Sequence, residues 1–186
     1  QDITASSGAS TRAFKGTLDG NGHKMGSLYL STNGLFSSVE DGSVIKNLIV
    51  ENVYVGNQTG VFAAEAKGKV TIDNVYVSFK TQDFSVENSN DVNQTYVHVN
   101  QRYKGLFCKA WEGTTINVSN SVVYMPEFLS KNHGFVLGQG TATVNVTNST
   151  FIGGNGRVYG KYTAVVNKDE NSVITDAVTA HKTYKE

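Results

Sequence analysis

The sequence predicts an all-β chain folded as a parallel β-helix, a β-solenoid of about five to six coils with one inserted arm. Three observations predict it. One short order of residues recurs along the chain. It opens on Gly34 as GLFSSVEDGSVIKNLIVENVYV and returns as GVFAAEAKGKVTIDNVYV from Gly60, GLFCKAWEGTTINVSNSVVY from Gly105 and GFVLGQGTATVNVTNSTFI from Gly134. Each unit is too short to bury its apolar face alone, so stacked units must share a core. The second observation is spacing: Asn47, Asn74, Asn120 and Asn148 each precede a strand-like run, at steps of 27, 46 and 28 residues. A step near 27 fits three short strands and three bends. The third is composition. Gly, Ser, Thr, Asn and Val dominate, there is one proline (Pro126), and no apolar series at i, i+3, i+4 suggests a helix.

Composition also excludes several function classes. The 186 residues suffice for one domain, 1–186, with a real core. Sixteen basic and sixteen acidic residues cancel, so there is no footprint for nucleic acid or an anionic membrane. Charged residues are 17%, against roughly 25% in ordinary soluble domains. Cys108 is the single cysteine, which excludes an intrachain disulfide, and its place after Leu106 and Phe107 marks it as a packed core thiol. No apolar run approaches the roughly 18 residues that span a bilayer. The chain begins at Gln1 without Met, so a processed or trimmed start is expected.

Taken in order, QDITASSGASTR holds only Ile3 as a core candidate. Phe14 to Leu30 reads as a first, divergent coil, with a turn at Asp19-Gly20-Asn21-Gly22 and Ser27 in the place that Asn47 holds one repeat later. The recognisable repeats occupy 13–152. The long step contains an insertion at 79–104, about 19 residues more than an ordinary step. Ser85 and Val86 can pair with Tyr96, Val97 and Val99 as a projecting hairpin arm; the alternative is a short extra coil. After Ile152 the pattern decays through a glycine-rich bend, GGNGRVYGKY, to a degenerate last coil in TAVV and SVITDAV. The final HKTYKE is charged and is expected to be frayed or a polar cap.

The stretches FKGTLDGNGHKMGSLYL and GLFSSVEDGSVIKNLIVENVYV resemble the GLUG-type repeats of cell-surface proteins, within the pectin-lyase-like superfamily. The resemblance covers about 14–152 apart from the insertion. It implies a right-handed β-helix that serves as scaffold in large secreted adhesins, surface proteases and phage fibres. Asp2-Ile3 resembles a family element that an extra strand usually precedes; here that strand is absent, which implies a longer parent chain or an incomplete first coil.

Candidate chemistry is sparse. Asp19 and His23 resemble a stretch of polysaccharide-cleaving β-helices and would be an acid/base pair there, but a tight turn explains the same residues. The remaining acids show no repeat-aligned pair that would hold calcium or flank a sugar bond. His23, His98, His133 and His181 lack ligand spacing, so no metal or cofactor is expected. Phe36, Phe62 and Phe107 are read as an internal aromatic stack. Tyr54, Tyr76 and Tyr124 are either stacked within the core or a stripe for sugar stacking. Sequons stand at Asn57, Asn93, Asn117, Asn145 and Asn148.

The expectation is a non-enzymatic extracellular structural or adhesive module, with a polysaccharide lyase or hydrolase and a glycan-binding module as alternatives. Asn47, Asn74, Asn120 and Asn148 are expected to form an internal hydrogen-bonded ladder. Glycans are expected on Asn57 and Asn93 and not on Asn148, which the ladder would enclose. Expected partners are a second copy stacked end to end or further segments of a longer chain, with Phe84 and Tyr96 as a lateral contact, and glycans as another class.

Overall fold

The computed structural model describes residues 12–30, 33–56, 58–80, 103–125, 132–154 and 156–176. Among them the chain is all-β. The first repeat supplies β1 (Ala13–Phe14), β2 (Thr17–Asp19), β3 (Lys24–Gly26) and β4 (Tyr29–Leu30). The second supplies β5 (Phe36–Val39) and the long β6 (Ser43–Val55), the third β7 (Gly60–Ala66) and β8 (Lys69–Phe79). The fourth holds β9 (Gly105–Ser119) and β10 (Val122–Met125), the fifth β11 (Leu137–Thr147) and β12 (Thr150–Gly153). The last holds β13 (Tyr159–Lys161), β14 (Val165–Lys168) and β15 (Val173–Thr175).

Every pairing among these strands is parallel and joins a residue to its counterpart one repeat later. On the first face the register runs Ala13, Ser38, Glu65, Lys109, Gln139, Lys161. On the second it runs Leu18, Ile45, Ile72, Val118, Val146, Lys168. On the third it runs Met25, Val50, Val77, Val123, Phe151, Ile174. A parallel sheet of this kind is compatible with a β-solenoid. The second and third series face inward, and Ile45, Ile72, Val50 and Val77 are fully buried. Alternation along each strand then sends the intervening residues outward. At the last repeat Lys168 takes the apolar position, and its ammonium donates to the carbonyls of Asp169 (3.0 Å) and Ser172 (2.8 Å).

The opening glycines now have a physical reason. A Cβ on Gly60 would lie 2.2 Å from the Ala63 carbonyl oxygen and 2.6 Å from the Phe107 Cα. A Cβ on Gly34 would meet the Gly60 carbonyl oxygen, and one on Gly105 the Gly134 carbonyl oxygen. Successive openings pass so close that no side chain fits.

The structure bears on several sequence expectations. Strand β8 pairs directly with β9 and β10, with Tyr76 opposite Val122, so the 79–104 insertion adds no rung between them. The expected arm itself, with Ser85, Val86 and Tyr96 to Val99, lies outside the described residues. So do Asp2, Ile3, Asn57, Phe84, Asn93 and the tail. Ser27 is not level with Asn47. Gly26 pairs with Glu51 and Tyr29 with Tyr54, so Ser27 sits at the height of Asn52, and the Asp19–Gly22 turn fills the Asn47 bend. The glycine-rich bend after Ile152 contains a strand, β13, because Tyr159 and Lys161 pair with Leu137 and Gln139.

The phenylalanines divide. Phe62 and Phe107 are fully buried with ring centroids 6.0 Å apart. Phe36 is only half-buried and stacks on Phe14 at 4.5 Å. Phe36 and Phe107 share a register through Ala63, and an irregularity between Gly60 and Ala63 displaces Phe62 from that line.

Candidate functional site

The bend asparagines adopt the left-handed backbone that their side chains tolerate: φ is 53° at Asn47, 51° at Asn74, 51° at Asn120 and 45° at Asn148. Their amides bond in series. Asn47 donates to the Asp19 carboxylate (3.0 Å) and Asn74 to the Asn47 carbonyl (2.9 Å). Asn120 donates to Asp73 (2.8 Å) and Asn148 to Asn120 (2.8 Å). The ladder therefore has two runs, each starting on an aspartate, and the break falls across the insertion. It is also external: Asn74, Asn120 and Asn148 are exposed. The left-handed bend turns these side chains outward, and the next residue turns in.

That next residue builds a second, buried ladder. The Val75 amide donates to Ser121 Oγ, the Ser121 amide to Ser149 Oγ and the Ser149 amide to Ser172 Oγ, each at 3.1 Å. The hydroxyls of Ser121 and Ser149 in turn donate to the carbonyls of Ser119 (2.6 Å) and Thr147 (2.8 Å). A further amide series runs on the outer side of the second face, from Asn167 to Asn145 (2.8 Å) and from Asn145 to Asn117 (2.7 Å). Two sequon asparagines, Asn117 and Asn145, are thus ladder members, and the third described one, Asn148, is exposed rather than enclosed.

The Asp19–His23 stretch is a hydrogen-bonded turn. The Asn21 amide donates to Asp19 Oδ1 (2.9 Å) and the His23 amide to the Gly20 carbonyl (2.7 Å). The Asn47 amide, the Asn21 backbone and Lys46 at 3.3 Å hold the Asp19 carboxyl below its usual range, so it stays ionised and is no proton donor near neutrality. Asp73 accepts from Ser119 and Asn120, and Asp41 from the Lys69 amide. These acids are occupied in joining repeats. Among the described residues, no group of three His, Cys, Asp or Glu is placed to hold a metal. Burial pushes the Cys108 thiol up to about 12, as expected for a packed core cysteine.

The three tyrosines named in the sequence do not form one stripe. Tyr76 lies level with Ile49 and Val122, Tyr124 with Ser78 and Ile152, and Tyr54 with Tyr29. Tyr54 and Tyr29 stack with centroids 4.5 Å apart and planes 10° apart. Lys104, fully buried, holds its ammonium 5.7 Å from the Tyr54 centroid. Burial pulls the Lys104 amine down to about 7. Beside the tyrosines runs a groove of about 560 Å³ lined by Ser27, Leu28, Tyr29, Asn52, Tyr54 and Lys80.

A second aromatic patch lies on the first face. Trp111, 47% exposed, donates its indole N–H to Glu65 (3.0 Å), and the Lys109 ammonium sits 4.1 Å from its ring centroid. Two rungs on, Lys161 donates to the Tyr103 hydroxyl (3.1 Å) and lies 5.0 Å from the Tyr162 centroid.

The sequence reading missed the tyrosine groove, the tryptophan patch and the serine ladder. The serine ladder had a signal: Asn-Ser recurs at 120–121, 148–149 and 171–172. The fold and its ladders define a class: an all-β repeat chain on a parallel sheet, joined rung to rung by side-chain amides outside and hydroxyls inside. Comparison with protein-family models, curated proteins and solved structures found no match.

Proposed function

We propose that the chain is a right-handed parallel β-helix of about six turns acting as an extracellular structural and adhesive module, similar to GLUG-type repeats. The observation that carries this reading is the rung-to-rung bonding, in which outer Asn, inner Ser and register-paired strands all serve to join one repeat to the next. A rod built this way carries polar side chains along its outer faces, which suits a stalk or fibre. Asp19, Asp41, Asp73 and the bend amides are committed to the stack, which favours a scaffold over a lyase or hydrolase. Among the described residues, β1 to β4 pair only with β5 and β6, and β13 to β15 only with β11 and β12. Such edges accept a further strand, which supports end-to-end association with a second copy or with more of a longer chain.

Sedimentation and electron microscopy of the full chain over a concentration series test this. Rods that lengthen with concentration are expected. A compact monomer at every concentration would remove the assembly, and turnover on acidic or neutral glycans that Asp19→Asn abolishes would replace the scaffold with an enzyme.

A further inference from the structure

We propose that the groove beside Tyr29 and Tyr54 binds a carboxylated sugar ring of an acidic glycan. This rests on the adhesive reading and names its ligand class. The volume, about 560 Å³, lies in the range of small-ligand sites. Its wall is an aromatic platform: Tyr29 is 51% exposed and is held flat by the stacked Tyr54 behind it. An immobilised ring offers the C–H face of a pyranose a large contact at little entropic cost. The ammonium of buried Lys104 lies 5.7 Å from the Tyr54 centroid, so the stack borders a buried group of the same fold.

Polar groups converge on the same groove. Asn52 is exposed with φ at 52°, and its backbone N–H donates to Ser78 Oγ (3.1 Å). One rung away Ser27 has φ at 55°. The two residues stand one above the other at a left-handed bend, and both line the groove. The Asn52 amide can both donate to and accept from ring hydroxyls. The charge at the rim is positive. Lys80 is exposed, its backbone amide is fixed on the Val53 carbonyl (2.9 Å), and it has no carboxylate partner among the described residues. Glu51, next to Asn52 in the chain, is paired with Lys24 at 2.8 Å. A ligand carboxylate therefore meets an ammonium with its charge available, and the ring lies on Tyr29.

The test is a titration of the full chain with a glucuronate-containing tetrasaccharide and with its carboxyl-reduced neutral counterpart, read by tyrosine fluorescence and calorimetry. The variants are Tyr29→Ala, Lys80→Gln and Trp111→Ala, each checked for an unchanged melting curve. The acidic sugar should bind about tenfold more tightly than the neutral one. Lys80→Gln should remove that preference and leave neutral binding in place, Tyr29→Ala should remove both, and Trp111→Ala should change neither. No binding by the wild-type chain, equal binding of both sugars, or loss only with Trp111→Ala would overturn the assignment. The scaffold reading is judged separately, by the sedimentation and microscopy of the wild-type chain above, which read rod length and not sugar binding.

Discussion

Asn148 and Ser149 are neighbours in sequence and opposites in space. Both join the fourth repeat to the fifth by one side-chain hydrogen bond, Asn148 to the Asn120 carbonyl at 2.8 Å and Ser149 from the Ser121 amide at 3.1 Å. Asn148 is exposed, so water competes for its amide and the bond adds little. Its larger contribution is conformational, because it accepts the left-handed bend. Ser149 is 2% exposed, and the amide it satisfies has no solvent alternative. The same geometry outside and inside therefore carries different energies, and the difference comes from what replaces a lost bond.

The widest contrast lies between this outer amide and the buried openings of the repeats. Gly60→Ala should destabilise the fold by about 3 kcal/mol or more in denaturant unfolding, since the new methyl has only backbone to meet. A small effect would mean that the openings separate easily and that the rungs are less tightly seated than described.

Ser149→Ala and Asn148→Ala then divide the bend itself. Ser149→Ala should cost about 1–3 kcal/mol, the usual loss for a buried amide left without its acceptor. Asn148→Ala should cost about 1 kcal/mol through the left-handed backbone, and Asn148→Gly should recover most of it. Equal losses with no rescue by glycine would place the two residues in the same environment and end the distinction.

Lysines give the same contrast in a form that pH reads. Lys67 is half-exposed beside Glu40 at 3.1 Å, and its amine is raised, chiefly by that bond. Lys104 is buried and its amine is lowered to about 7 from an ordinary 10.5. Below pH 7 both the folded and unfolded states carry the Lys104 proton, and the burden on the fold is constant. Between pH 7 and 10.5 the unfolded chain binds the extra proton, so stability should rise with pH, by at most about 1.4 kcal/mol per unit. Lys104→Met should flatten this rise relative to the wild type, and Lys67→Met should not. Parallel curves for all three proteins would show that Lys104 is not desolvated.

Much of this organisation was legible because it is local. A glycine that cannot bear a Cβ, and an asparagine that takes φ near 50°, leave marks at fixed steps whatever the surroundings. Those marks found the repeats and the bend positions. They could not tell which way the bend side chains face, since a left-handed residue before a strand serves either side; the exposed ladder followed only from the folded structure. Ser27 was misplaced because the first repeat fills its Asn47-equivalent bend with Asp19-Gly20-Asn21-Gly22 and lacks the marker. The groove was not legible at all. Its members come from three repeats, Ser27 and Tyr29, Asn52 and Tyr54, and Lys80, and only the register brings them together. The Asp19–His23 resemblance pointed to chemistry that the turn's own hydrogen bonds absorb.

The central claim is that each repeat sits in register on the next, straight across the 79–104 insertion. Thr71 and Asn117 are register partners on the outer second face, and Asn145 lies one rung beyond Asn117. Adjacent rungs are about 4.8 Å apart, within disulfide reach, and alternate rungs about 9.6 Å, outside it. With Cys108 replaced by Ala, the pair Thr71→Cys with Asn117→Cys should oxidise fully to an intrachain disulfide under mild oxidant in the native protein. Thr71→Cys with Asn145→Cys should remain reduced. Cross-linking of the second pair in place of the first would contradict the register and the stack built on it.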